Sequence, residues 1–240
     1  MMNCMVKSYT KYLFILVIVW IISGCYSRKE GCLDIYAANY DVSSDDQCAN
    51  CCQYPALKLN FLRLFGDSTY FQGDTLINQY GQKYIILGFK YYMSHFRLFQ
   101  AGNPITVREA IQNSINGSII PDDIKIALDG DPNLNIGTIR AFGKFDSPQF
   151  TLGITDDYLK DGWTILPNGH VLNTANRLND PQGNLSSAIL KFKLLAAKDT
   201  TISVSVSPAF KIKYTLQDSI SITKPGLPVT GKLIADYKTL

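Results

Sequence analysis

The chain has 240 residues, 46% of them apolar, with 23 Lys and Arg against 20 Asp and Glu. That apolar share suits a globular body with a buried core, and so even a charge balance offers no basic field to hold nucleic acid. The six cysteines and two histidines are few enough to follow one by one.

The N-terminus reads as an export signal. Lys7 and Lys11 precede an uncharged run from Tyr12 to Ile22, which is far shorter than the roughly 20 residues a membrane-spanning helix needs. A basic flank, a short apolar core and small residues after it describe a leader that is removed. Ile22-Ser23-Gly24-Cys25 resembles the lipobox of bacterial lipoproteins. The resemblance implies that residues 1–24 are cleaved, that Cys25 is lipidated, and that residues 25–30 tether the body to the bilayer. The expected location is the cell envelope, at the outer membrane, facing periplasm or cell surface. Lys7 and Lys11 would leave with the leader, so the exported body carries 21 basic and 20 acidic residues.

Cys32, Cys48, Cys51 and Cys52 follow within 21 residues, and no cysteine comes after them. In an oxidising compartment such a cluster forms disulfides, with three pairings open. The sharper alternative is a Cys48-x-x-Cys51-Cys52 metal site, because thiolates suit zinc or cuprous copper. Gly31-Cys32-Leu33-Asp34 through Asn39-Tyr40-Asp41 to Asp45-Asp46-Gln47-Cys48 resembles a short module of exported Bacteroidetes proteins. That resemblance implies a Cys32–Cys48 bridge and a cysteine-rich module over 31–54. Gln47 departs from its usual Gly-Ser. Asp34, Asp41, Asp45 and Asp46 offer oxygen to calcium, but without an EF-hand glycine they read better as a solvated acidic loop.

From residue 55 the pattern is β. Leu57, Leu59 and Phe61 alternate with Lys58 and Asn60, the mark of a half-buried strand. Further strands are expected over Lys83 to Leu87, Phe89 to Leu98, Gln149 to Thr155, Ala188 to Leu195, Thr201 to Ser207, Phe210 to Leu216 and Lys232 to Tyr237. Thr106-Val107-Arg108-Glu109 fits a capping box and predicts a short helix to Ile115. A second helix is expected from Asp122 to Leu128. Residues 167–186, rich in Asn with two Gly and two Pro, read as a long loop. The sum is a mainly β chain: an antiparallel β-sandwich of about eight strands with one or two short helices, behind a small disulfide-rich neck.

Several of these stretches resemble the MbnP-like domain: Leu57-Lys58-Leu59-Asn60-Phe61, Asp74-Thr75-Leu76, Lys90-Tyr91-Tyr92-Met93-Ser94-His95-Phe96-Arg97-Leu98, Phe150-Thr151-Leu152-Gly153-Ile154 and Lys232-Leu233-Ile234-Ala235-Asp236-Tyr237. The resemblance covers most of 55–240. It implies a β-sandwich, export, and copper held by histidines with an oxidised tryptophan, the oxidation being done by a di-haem peroxidase-like partner. The histidine that members carry in the first strand is missing from Phe61-Leu62-Arg63.

The candidate metal residues are His95, Met93 and His170, with Trp163 as the oxidisable aromatic. Met93 and His95, two apart on an expected strand, would share one face, where a thioether and an imidazole suit cuprous copper. His170 and Trp163 would join them only if the long loop folded over that strand. Catalysis is not expected. No Gly-x-Ser-x-Gly elbow or phosphate-binding glycine loop accompanies the histidines. Asp122-Asp123 and Asp156-Asp157 offer acid/base pairs, but adjacent carboxylates near turns read better as helix caps that face water. The remaining alternative is a surface module, without metal, binding protein or glycan through its aromatics and exposed loop.

Overall fold

The computed structural model describes residues 26–107, 113–115, 118–120, 123–128, 131, 133–160, 166, 168–196, 200–215, 219–222 and 229–239. The leader, Cys25 and Trp163 lie outside the described residues. Among the described residues no helix is long and apolar enough to cross a membrane. The chain forms two compact units, one of residues 26–34 with 40–52 and one of 35–39 with 53–239.

In the smaller unit, strands β1 (Glu30–Gly31) and β2 (Asp46–Gln47) pair in parallel. The pairing needs Gly31, because a Cβ there would come within 2.0 Å of Ser44 Oγ. The expected Cys32–Cys48 bridge does not form. Bends at Ala49 and Asn50 fold the chain back, setting Cys51 5.7 Å from Cys48 and Cys52 5.0 Å from Cys32, Cα to Cα. Both spans suit a disulfide, and Cys32–Cys52 and Cys48–Cys51 are the pairs made. Gln47, the departure from the module's pattern, organises this turn. Its Oε1 accepts the Leu33 N–H at 2.8 Å, and its Nε2 donates to Cys48 O at 3.1 Å and Cys52 Sγ at 3.2 Å. The acidic loop faces solvent as expected, and two of its carboxylates are also bonded within it. Asp41 takes the Lys29 ammonium at 2.7 Å and the Ser43 hydroxyl at 2.6 Å, which hold its carboxyl well below the usual carboxylate range. Asp45 accepts from Tyr26 Oη at 2.7 Å and from the Lys29 N–H at 2.9 Å.

The larger unit is the expected mainly β, largely antiparallel fold. Its strands are β3 (Ala56–Phe65), β4 (Ser68–Thr69), β5 (Thr75–Ile77), β6 (Lys83–Gln100), β7 (Asn103–Thr106), β8 (Asn113–Ile115) and β9 (Ser118–Ile120). Then come β10 (Lys125–Leu128), β11 (Asn133–Thr138), β12 (Gly143–Leu152), β13 (Ala188–Leu194), β14 (Thr200–Val206), β15 (Ile212–Thr215), β16 (Ile220–Ile222) and β17 (Val229–Asp236). One sheet runs β14–β13–β6–β12–β15, with β5, β7 and β10 along β6 and β16 along β12. The other runs β11–β3–β17, with β4 on β3. Every pair in these two sheets is antiparallel except β17, which lies parallel to β3 over its whole length. The two expected strands at Lys83 and Phe89 are one 18-residue strand.

The expected helices are not helical where the structure describes them. Asn103–Thr106 and Asn113–Ile115 are strands, and Lys125–Leu128 pairs with β6. Strand order explains the second case: β6 is long enough to offer an edge beyond β7, and Lys125–Leu128 completes its ladder. The helix described is α1 (Asp156–Lys160), with a 3-10 turn at Tyr237–Thr239.

The main core lies between the sheets. Leu57 and Leu59 of β3 meet Met93, Phe96 and Leu98 of β6, Phe145 and Phe150 of β12, and Ile222 of β16. A second core covers the opposite face of the large sheet, where Tyr92, Ile154 and Ile189 pack under Tyr158, Leu166, Leu172 and Leu178. The long loop and α1 thus form a third layer. That second core carries the polar cluster described next.

Candidate functional site

The cluster begins at an irregularity in β6. Opposite β12, Ser94 pairs with Thr151 and Arg97 with Gln149, three steps on one strand against two on the other. The extra residue is His95, whose φ is +58°, a left-handed value that few non-glycine residues take. A bulge of this kind re-aims side chains beyond it. Met93 and Phe96, three apart, therefore both enter the core between the sheets. The expected common face for Met93 and His95 does not form. Met93 is fully buried as a packing residue, while His95 is half-buried on the bulge.

Beside His95 lies a buried carboxyl that the sequence reading placed in water. Asp123 is only 7% exposed. It accepts the Tyr158 hydroxyl proton at 2.5 Å, and its own N–H donates to Tyr158 Oη at 3.1 Å. Burial pushes the Asp123 pKa up, and the Tyr158 bond and the neighbouring His95 and Arg97 offset part of that rise. Asp156, in the other acidic pair, is exposed and bonded to Lys211. Asp122 lies outside the described residues and the Asp157 side chain is not described.

The long loop brings the second histidine. It is pinned to β6 by Tyr92, whose hydroxyl donates to Val171 O at 3.0 Å and accepts the Leu178 N–H at 2.9 Å. Burial raises the Tyr92 phenol to about 12. The asparagines explain how a loop so poor in secondary structure stays folded, since their side chains bond nearby backbone groups. Asn173 Nδ2 donates to Leu166 O at 2.7 Å and its Oδ1 accepts the Ala175 N–H at 3.0 Å. Asn176 Nδ2 donates to Asn168 O at 2.5 Å and to His170 O at 3.2 Å. His170 is 6% exposed, with its ring centroid 6.4 Å from that of Tyr158. Its Nδ1 accepts the Leu172 N–H at 3.1 Å, so the neutral ring carries its proton on Nε2.

The structure therefore bonds Asp123 to Tyr158 and sets the His170 ring beside Tyr158, with His95 and Arg97 near the Asp123 carboxyl. Of the expected set, His170 lies beside Tyr158, His95 lies near Asp123, Met93 packs in the core, and Trp163 is outside the described residues. Asp123 and Tyr158 were missed as site residues. Among the described residues, the three His, Cys, Asp or Glu donors found within 4.8 Å of one another are Cys48, Cys51 and Cys52. The Asp123 cluster is not a closed metal cage.

No family model matches the sequence, and no curated protein matches it significantly. Among solved structures the chain is similar to MbnP from Methylosinus trichosporium, at 10% sequence identity and a TM-score of 0.46. The likeness covers 69% of this chain and 72% of that one.

Proposed function

We propose that this chain is an exported, lipid-anchored binding protein of MbnP-like type, without catalytic activity, whose β-sandwich binds copper between His95 and His170. The observation that carries the proposal is the folding of the 168–186 loop onto β6, which sets His170 beside Tyr158, itself bonded to Asp123, with His95 of the β6 bulge near that same carboxyl. Two imidazoles and no closed cage suit cuprous copper, which accepts low coordination with soft or nitrogen donors. Coordination through His170 Nε2 requires the proton to move to Nδ1 and the Leu172 bond to break, so binding rearranges the loop turn. Leu172 and Leu178 are buried, so these apolar side chains of the loop are not offered to a protein or glycan partner.

The test is competition for Cu(I) between the chain from Tyr26 onward and a coloured chelator. One equivalent should be retained. His95→Ala and His170→Ala should each weaken retention at least tenfold, whereas Met93→Leu should leave it unchanged. Retention that ignores both histidines would overturn the proposal.

The anchor has its own test. In a bacterial host the full chain should incorporate labelled fatty acid and partition into detergent, and Cys25→Ser should do neither. Equal labelling of the variant would remove the lipid from the account.

A further inference from the structure

The sulfurs of the smaller unit are arranged in two tiers. Cys48 and Cys51 are bridged across a separation of three residues, and Cys32 and Cys52 across twenty. Closing a short loop removes little chain entropy from the unfolded state, so the short bridge adds less to folding than the long one. Cys51 is exposed, Cys48 and Cys52 are half-buried and Cys32 is 1% exposed, so an external thiol meets the short bridge at Cys51 more readily than the long bridge at Cys52. The Sγ atoms of Cys48, Cys51 and Cys52 nevertheless all lie within 4.8 Å of one another.

We propose that Cys48 and Cys51 form a reducible binding site for a soft, thiophilic metal cation, closed as a disulfide in the oxidised protein and opened by a thiol reductant. The opening step balances. Two equivalents of external thiol deliver two electrons and two protons to the Cys48–Cys51 bond, leaving two cysteine thiols and one external disulfide. The two thiols then release their protons to water as their thiolates bind the cation. Two thiolates satisfy a cuprous ion, whose preference is for soft sulfur at low coordination number. Cys52 is the next residue after Cys51 and stays bonded to Cys32. It therefore holds the turn in place while the short bridge opens, so the two thiolates remain together. The Gln47 amide, which donates to Cys48 O at 3.1 Å and points at Cys48 Sγ from 3.8 Å, fixes the other side. This site is independent of the histidine cluster.

The experiment uses the chain from Tyr26 onward, which holds every described residue, carrying His95→Ala and His170→Ala so that the sandwich site cannot contribute. Under graded dithiothreitol, alkylation and peptide mapping should label Cys48 and Cys51 before Cys32 and Cys52. The partly reduced protein, challenged with Cu(I) and a competing chelator without air, should keep one copper per chain, and the oxidised protein none. Replacing Cys48 and Cys51 together by Ser removes the short bridge and spares the long one, and should lower retention at least tenfold. The proposal is overturned if Cys32 and Cys52 open first, if oxidised and reduced protein retain copper equally, or if the double serine variant binds as well as its parent.

Discussion

Deleting residues 229–240 is expected to remove cooperative folding or lower the melting temperature by more than about 10 °C. β17 pairs with β3 from Val229 opposite Leu57 to Asp236 opposite Leu64, so its loss strips one whole side of a central strand. Val229 and Leu233 pack on the main core, and Tyr237 is 6% exposed with its ring 5.0 Å from Tyr70. Asp236 also accepts the Gly66 and Lys238 N–H groups, each at 2.9 Å. Losing a buried aliphatic or aromatic side chain costs about 1.5–3 kcal/mol, and three of them approach the whole stability of a typical domain, about 5–15 kcal/mol. For a chain of this size each kcal/mol shifts the transition by about 2–4 °C. Point variants refine the test. Leu233→Ala should cost about 2 kcal/mol. Ile234→Ala should stay within about 0.5 kcal/mol, because Ile234 is 60% exposed. The alternation of Leu233, Ile234 and Ala235 in the sequence does not say which of them faces inward. Thermal unfolding of the three variants beside the parent decides, and an unchanged transition in the truncated chain would contradict the role given to β17.

The second large effect is expected at Tyr158→Phe, at about 1–3 kcal/mol for leaving a buried polar group without its partner. The change removes both the proton donor to the Asp123 carboxyl and the acceptor of the Asp123 N–H. Its pH dependence separates it from a packing defect. The folded-state pKa of Asp123 is raised, chiefly by burial, so the folded chain holds this proton more tightly than the unfolded chain. Stability from this group is fully present below the unfolded value of about 3.9 and is lost as pH rises through the folded value. In the parent, Tyr158, His95 and Arg97 limit the rise. Without the Tyr158 bond the loss should extend to higher pH, and Asp123→Asn should abolish it. Chemical denaturation across pH 4 to 8 reads this directly. A pH profile for Tyr158→Phe identical to the parent's would mean that Asp123 is not held as described.

The sequence shows the strands more readily than the site. Thr201 to Ser207 and Ala188 to Leu195 have clear alternation or β-branched content, and they form a pair, β13 with β14. The Leu134 and Ile136 alternation with Asn133 and Asn135 carries the same signal and marks β11, which is absent from the expected strands. The two expected helices stand differently. Thr106 to Glu109 has the spacing of a capping box, but Asn103–Thr106 pairs with β6 as a strand, and residues 108–112, the middle of that expected helix, lie outside the described residues. Ile124 to Leu128 is a short apolar run of the kind in which periodicity cannot separate strand from helix. Its two faces go to different cores, Ile124 to one and Ala127 to the other.

The site was partly hidden because its geometry depends on distant partners. Nothing in Met93-Ser94-His95-Phe96 announces the bulge, which follows from how β6 registers with β12. Asp123 is buried by Tyr158, 35 residues later. The cysteine cluster was plain from spacing alone, yet its pairing was not. The Ala49–Asn50 bend decides it, and the module resemblance pointed to a different partner for Cys32.

The most direct measurement of the central claim uses the fact that the chain has only two histidines. Ring proton and nitrogen resonances of His95 and His170 can be followed by NMR while Cu(I) is added without air to the oxidised chain from Tyr26 onward. The account predicts that both ring systems shift together and are complete at one equivalent, with the Leu172 amide moving as its bond to His170 Nδ1 is released. Copper that leaves both rings unmoved, or that moves one while the other stays fixed, would contradict a site shared by the two histidines.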